Sequence, residues 1–238
     1  VRTAYTVFRN LYNVRKMTMK LVLASGSQRR RELLTMCGYD YEIIVSNADE
    51  TIDESDPENF VRALSFRKAK EVFDRLFAAG RRDFAVIGSD TVVAFQKDGE
   101  TKPVIIGKPK DAKDAVRILS MLSGKTHRVF TGVSVIADIP DENAAAQCSI
   151  REKAEIQTEC SITEVTFETL SPDEITDYVN SGDPLDKAGS YGIQGPFGMF
   201  VREIRGNYFT VIGMPIPVLY KMLKKIGILP HGFYERIE

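Results

Sequence analysis

Histidine is scarce in this chain, with only His127 and His231, which argues against a zinc centre built on imidazole ligands. Cysteine is scarce too. Cys37, Cys148 and Cys160 form an odd set without C-x-x-C spacing, favouring free thiols in a reducing compartment over a disulfide framework. A metal, if present, is then expected to be a hard ion held by carboxylates and substrate oxygens. No apolar stretch approaches the roughly 18 residues of a membrane span, and the expected location is cytoplasmic. An excess of charge is also missing. Thirty-two basic and 33 acidic side chains leave a net charge of -1, unlike the strongly basic balance of a general nucleic-acid binder. Any basic site must be a local concentration of charge.

What is present reads as an ordinary globular chain. Its 238 residues, 43% hydrophobic and 27% charged, suffice for one sizeable core or two small lobes around a cleft. The first 16 residues carry Arg2, Arg9, Arg15 and Lys16 and no acidic residue. Residues 1–17 are therefore expected to be an extension, either unstructured or the remnant of an organelle-targeting segment. A single domain is expected over 18–238.

Helix and strand patterns alternate along that domain. Asp56-Pro57-Glu58 opens a long amphipathic helix striped by Phe60, Val61, Leu64, Val72, Phe73 and Leu76, with Gly80 beyond its end. Asp111 to Leu122 reads as a second helix stopped by Gly124, and Ser171-Pro-Asp-Glu174 as a capping box. A last helix is expected from about Pro217 to Ile226. Phe84–Gly88 and Thr91–Phe95 read as strand material broken by Gly88-Ser89-Asp90. Strands are also expected over Tyr41–Ser46, His127–Ala137 and Thr163–Thr169. Gly198–Arg205 and Tyr208–Ile212 suggest a hairpin around Gly206-Asn207. The expected class is mixed α/β with much antiparallel pairing.

The segment Leu21 to Leu34 is the most informative. An apolar run breaks into Ser25-Gly26-Ser27 and restarts as a helix carrying Leu33, Leu34 and Cys37 on one side. Arg29, Arg30 and Arg31 fall in its first turn, the wrong end of a helix dipole for cations. Free backbone N–H groups, the hydroxyls of Ser25 and Ser27, and guanidinium groups converging there suit a polyanion such as phosphate. A solvated basic turn is the plainer reading.

Asp90 is the strongest single candidate. It is expected at a strand edge, where a carboxylate holds a metal, orients a water, or only organises a bend. Asp49, Glu50, Asp53 and Glu54 form an acidic cluster, either a solvated loop or a source of further ligands for a divalent cation shared with Asp90. Lys68 lies four residues from both Leu64 and Val72, so it sits on the apolar stripe. It must snorkel outward or meet an anion in a cleft. Lys108 stands between Gly107 and Pro109. The stretch from Asp183 to Gly195 is a loop rich in Gly and polar groups, in which Gln194 offers an amide donor and acceptor for a base edge. Two near-misses carry nothing. Ser123-Gly-Lys-Thr126 lacks the earlier glycine of a P-loop, having Leu119 there, and Gly189-x-x-Gly192-x-x-Gly195 lacks the G-x-G start of a dinucleotide fingerprint.

Together these segments resemble the Maf family of nucleotide pyrophosphatases, from about Lys20 to Gly227. The resemblance rests on Ala24-Ser-Gly-Ser-Gln-Arg-Arg30, Ala48-Asp-Glu-Thr51, Gly88-Ser-Asp-Thr91, Gly107-Lys-Pro109, Ser123-Gly-Lys-Thr-His127, Thr131-Gly-Val133 and Asp186-Lys-Ala-Gly-Ser-Tyr-Gly-Ile-Gln-Gly195. Gln28 stands where the family usually has proline, Ser89 where alanine is common, and Asp138 to Ser149 looks like a lengthened hairpin tip.

The resemblance implies an elongated mixed sheet with flanking helices and a central cleft, similar to inosine triphosphate pyrophosphatases. It implies hydrolysis of nucleoside triphosphates to the monophosphate and pyrophosphate with Mg²⁺ or Mn²⁺, a house-cleaning activity. Asp90 matches the proton acceptor, and Asp90 with Glu50 the metal ligands. Lys68 and Lys108 join the catalytic set, while Ser25, Ser27, Arg29, Arg30, Thr91, Lys187 and Gln194 bind substrate. Arg29, Thr91 and Gln194 fall on the family's substrate-selecting positions and resemble the branch acting on dTTP, UTP and modified pyrimidine nucleotides. The competing readings are the branch that prefers 7-methylguanosine triphosphate and a non-catalytic nucleotide-binding regulator of cell division. The expected partner is the triphosphate, without nucleic acid or membrane, and a homodimer is one expectation for assembly.

Overall fold

The computed structural model describes residues 19–96, 99–139 and 154–231. The expected extension over 1–17, Cys148 and most of the lengthened hairpin tip lie outside them. The elements run β1 (Lys20–Leu23), α1 (Gln28–Met36), β2 (Glu42–Ile43), α2 (Pro57–Ala78), β3 (Phe84–Phe95), β4 (Val104–Ile106), α3 (Ala112–Leu122), β5 (Thr126–Asp138), β6 (Ala154–Phe167), α4 (Pro172–Asn180), β7 (Val201–Arg205), α5 (Tyr208–Ile212) and α6 (Ile216–Lys225). Short 3-10 turns cover Asp183–Asp186, Ala188–Ser190 and Pro196–Phe200.

The strands form one mixed seven-stranded sheet in the order β2-β1-β3-β5-β6-β7, with β4 also on β3. β1 pairs in parallel with β2 and β3, and the remaining pairs are antiparallel. The mixed α/β class expected from the sequence is the class observed.

Three local expectations are corrected. Phe84 to Phe95 is one continuous strand, and Gly88-Ser89-Asp90 does not break it. The change falls in its neighbours. On one edge β1 pairs with Phe84–Ile87 and β4 with Val93–Phe95, so Gly88 to Val92 lies between the two ladders, while β5 accompanies the whole opposite edge. A ladder that changes partner explains the local loss of strand signal without a bend. Tyr208–Ile212 is not the second arm of a hairpin but helix α5. Asn207 caps it by accepting from the Phe209 N–H at 2.8 Å, which turns the chain into a helix. The strand expected over Tyr41–Ser46 is also shorter, reduced to Glu42–Ile43.

Strand alternation sorts β3 between two faces. Phe84, Val86, Val92 and Ala94 face α2, whose Val61, Leu64, Ala69, Val72 and Phe73 are buried. Ala85 and Ile87 face the opposite layer with Leu33 and Leu34 of α1 and Leu219, Met222 and Leu223 of α6. Val93 and Phe95 pack toward α3 and α4. The long helix reaches the sheet closely because of two glycines. A methyl group on Gly88 would collide with the Ser65 carbonyl and lie 2.7 Å from the Ala69 nitrogen, and one on Gly132 would collide with the Val61 carbonyl. That contact sets the height of α2 above β3.

Candidate active site

The interval in the β3 edge between the two ladders opens into a cleft of about 1360 Å³. Its walls are Ala24 to Glu32 from the β1–α1 turn, Glu50, Glu54 and Lys68, residues Asp90 to Val93, Gly107 and Lys108, and the 183–195 loop. All eleven residues singled out from the sequence line it: Ser25, Ser27, Arg29, Arg30, Glu50, Lys68, Asp90, Thr91, Lys108, Lys187 and Gln194. Asp90 and Thr91, consecutive on β3, flank the opening from opposite sheet faces.

On the α2 face, Lys68 points inward, with its side chain 12% exposed. Its Nζ donates to Asp90 Oδ1 at 2.6 Å and pairs with Glu50 Oε1 at 3.1 Å. Of the two readings of Lys68, meeting an anion in a cleft is the one observed. The helix stripe supplies the direction, since Leu64 and Val72 on the same face are buried. Asp90 is 8% exposed, whereas Glu50 is exposed on its loop. The two carboxylates thus converge on a single cation. That is a hard-oxygen donor pair suited to a divalent ion. Among the described residues no group of three or more His, Cys, Asp or Glu is arranged around a metal position, so a bound ion would draw its other ligands from substrate and water, as Mg²⁺ habitually does.

On the opposite face, Arg30 is the organising group. Nε donates to the Gly213 carbonyl at 2.8 Å, Nη1 to Ser25 Oγ at 3.1 Å and Nη2 to Thr91 Oγ1 at 3.3 Å. Burial lowers its pKa from the ordinary arginine value, partly offset by the nearby charge of Asp90. Among the described residues three of its five N–H groups therefore serve the protein, and two have no protein partner. Gly213, in the left-handed region at φ 107°, ends α5 and turns its carbonyl to both Arg30 and the Ser89 hydroxyl. Arg29 lies 3.8 Å from Asp186 across the cleft. The serines precede α1 as expected, with the Ser27 N–H donating to Ser25 Oγ at 3.2 Å.

The third wall is the 183–195 loop. Lys187 Nζ donates to the Asp183 carbonyl at 2.5 Å, to Asp183 Oδ1 at 3.0 Å and to Asp186 Oδ1 at 2.7 Å. Its three N–H groups are thus met within the loop itself. The Tyr178 hydroxyl donates to Asp183 Oδ2 at 2.5 Å and accepts from the Gly192 N–H at 3.1 Å. Below the loop, Phe167 meets Tyr191, Phe197 and His127 edgewise, and the His127 ring also packs edgewise on Tyr191. Burial pushes the His127 pKa down to about 3, so this imidazole is a neutral packing element. Lys108 and Gln194 are exposed at the cleft rim.

Sequence reasoning missed Gly213, Tyr178 and Asp183. Asp183 was read only as the start of a polar loop, and Gly213 went unmarked because the segment before it reads as a hairpin strand. Gly213 meets Arg30 and Tyr178 meets Gly192 across more than ten residues of sequence, and Asp183 enters the site through Tyr178 and Lys187.

A cleft joining an arginine-bearing helix start to a carboxylate pair defines a binder of an anionic ligand that also engages cations. The chain belongs to the Maf-like protein family, whose model matches residues 20–226. It is 43% identical over 210 residues to a dTTP/UTP pyrophosphatase of Bacillus thuringiensis subsp. konkukian, covering 88% of this chain and 96% of that protein. A dTTP/UTP pyrophosphatase of Agathobacter rectalis is 40% identical over 217 residues, covering 88% of this chain and 98% of that one. Among solved structures, the Staphylococcus aureus Ham1 protein matches with a TM-score of 0.43 and 15% identity, over 87% of this chain and 98% of that one.

Proposed function

We propose that this protein hydrolyses nucleoside triphosphates, dTTP and UTP foremost, to the nucleoside monophosphate and pyrophosphate, a house-cleaning role in nucleotide metabolism. The observation that carries the reading is the meeting, in one cleft, of the Lys68–Asp90–Glu50 charge cluster with the arginine-bearing start of α1. The relatives' names give the reaction and the bases.

In this reading a water attacks the α-phosphorus. Asp90 takes its proton, the new P–O bond forms, and the bond to the bridging oxygen breaks with its electron pair leaving on pyrophosphate. Lys68, Lys108 and Arg29 neutralise the departing charge, with the two spare N–H groups of Arg30. The N–H groups at the start of α1 and the Ser25 and Ser27 side chains hold phosphate oxygens. Asp90 and Glu50 would hold Mg²⁺ or Mn²⁺, which when bound would polarise a phosphoryl oxygen and lower the cost of forming hydroxide. Gln194 and Thr91 read the base. Lys187 supports the site by bracing its loop.

No helix among the described residues is long and apolar enough to cross a membrane, and the substrate proposed here is a free nucleotide.

Pyrophosphate release from a panel of nucleoside triphosphates, with added Mg²⁺ and again with excess chelator, tests the proposal. The expected result is turnover of dTTP and UTP that chelation abolishes. Binding without release from any triphosphate would support the regulator reading, and preference for 7-methylguanosine triphosphate would overturn the pyrimidine assignment.

A further inference from the structure

Thr131, in the Thr131-Gly-Val133 motif on β5, is fully buried and outside the cleft lining. We propose that it is a positioning residue for base selection, acting through the hydrogen-bond polarity of Thr91. The inference rests on the triphosphate reading above and extends it to a residue that does not itself touch the ligand.

A hydroxyl has one proton to give. Thr131 Oγ1 gives its proton to the Thr210 carbonyl at 2.7 Å. The 3.0 Å contact between the Thr91 and Thr131 hydroxyls must therefore run from Thr91 to Thr131. Thr91 Oγ1 also accepts from Arg30 Nη2. Its proton is thus spent inside the protein, and what it offers the cleft is a lone pair.

Ser25, on the other arm of Arg30, has the opposite polarity. Its oxygen accepts from both Arg30 Nη1 and the Ser27 N–H, which leaves its proton as the free capacity. Non-bridging phosphate oxygens are acceptors, so they suit Ser25 and are repelled by Thr91. The group facing Thr91 must donate. Thymine and uracil carry an N3–H, whereas cytosine carries a lone pair at N3. A site with an acceptor fixed in place leaves two lone pairs opposed when cytosine enters, and mismatched buried polar groups discriminate strongly. Thr131 keeps that acceptor fixed by denying Thr91 any other use for its proton.

The test compares kcat/KM for UTP and for CTP in the parent, Thr131→Val, Thr131→Ser and Thr91→Val, with folding checked by thermal melting. In Thr131→Val the Thr91 proton loses its acceptor and becomes free to turn toward the base. The UTP:CTP ratio should fall by about tenfold, the change that one unpaired polar contact produces, mainly through faster use of CTP. Thr131→Ser should restore the parent ratio. An unchanged ratio in a folded Thr131→Val, or equal losses on both nucleotides, overturns the inference, because a purely structural threonine would move both alike. Thr131→Val strips the Thr210 carbonyl of its donor. Should it fail to fold, Thr91→Val, which removes the acceptor itself, must lower the ratio, and an unmoved ratio there overturns the inference instead. A parent that releases pyrophosphate from neither nucleotide overturns the triphosphate reading and this inference with it. A parent active on UTP whose ratio no variant shifts overturns this inference alone.

Discussion

The two lysines buried at the cleft illustrate opposite designs. Lys68 and Lys187 have equally sheltered side chains, each 12% exposed, yet their partners differ in origin. Lys187 spends its three N–H groups on Asp183 and Asp186, one to four residues away, and so closes its own loop. Lys68 reaches carboxylates 18 and 22 residues distant, from a loop and from a different secondary element. A contact made within one loop persists whatever enters the cleft. A contact made between elements brings two carboxylates and an ammonium together at the cleft, and under the proposed function an incoming cation or phosphate exchanges with it. In the proposed mechanism the Lys187 loop is scaffold, and the Lys68 cluster is the reactive surface.

Four substitutions break or sharpen that contrast. The largest effect is expected on the reactive side. Asp90→Asn should lower turnover by about 10²–10⁴-fold, as loss of a general base does, with the melting temperature little changed because the isosteric amide still accepts from Lys68. Steady-state pyrophosphate release at saturating metal checks this, and a rate within a few-fold of the parent removes Asp90 from the mechanism.

Lys68→Met comes next, with kcat/KM reduced by about tenfold or more, the equivalent of a charge-assisted contact of roughly 1.5 kcal/mol. Methionine suits the stripe of Leu64 and Val72, so a stable variant with parental kinetics would make Lys68 structural. Its metal requirement is informative as well. With the ammonium gone from between Asp90 and Glu50, half-saturation should occur at a lower Mg²⁺ concentration than in the parent.

Lys187→Met should do less to catalysis than Lys68→Met and more to order. Hydrogen–deuterium exchange over 183–195 should rise while kcat/KM falls only a few-fold. A loss matching that of Lys68→Met would place Lys187 on the phosphates and erase the contrast. The smallest change is expected for Gln194→Ala, at the exposed rim. Parent hydrolysis of dTTP and UTP ahead of CTP and the purine triphosphates should persist with a narrower margin, read from relative kcat/KM across the nucleotides. Equal rates on all bases in the parent would show that this rim reads none of them.

Much of the site was legible because its parts announce themselves locally. Three arginines in a first helical turn, a lysine on an apolar stripe and an aspartate amid strand residues each conflict with a local rule. Each conflict falls at the cleft. The strand ends were less legible. Gly88-Ser89-Asp90 looked like a break because glycine and aspartate are poor strand formers, yet Gly88 is required by the close approach of α2 and Ser89 is tied to the carbonyls of Gly132 and Gly213. Tyr208–Ile212 has β-like composition, and its neighbours still make it a helix, with Asn207 as cap and Gly213 as stop. Arg30 read as one phosphate ligand among three arginines, but its distant partners make it the strut of the far wall.

The sequence by itself determined the long helices over 57–78, 112–122 and 172–180 with their caps, the strand character on either side of Gly88-Ser89-Asp90 and the residue types gathered for anion and cation chemistry. Periodicity, capping and charge act over a few residues and are written in order along the chain. Only the tertiary structure decided which charges meet. It opened the β3 edge between two ladders, set Lys68 against Asp90 and Glu50, and brought the Thr91 hydroxyl against that of Thr131. Those outcomes depend on which strands become neighbours and on how closely α2 approaches two glycines, and such long-range packing leaves no periodic trace in the sequence.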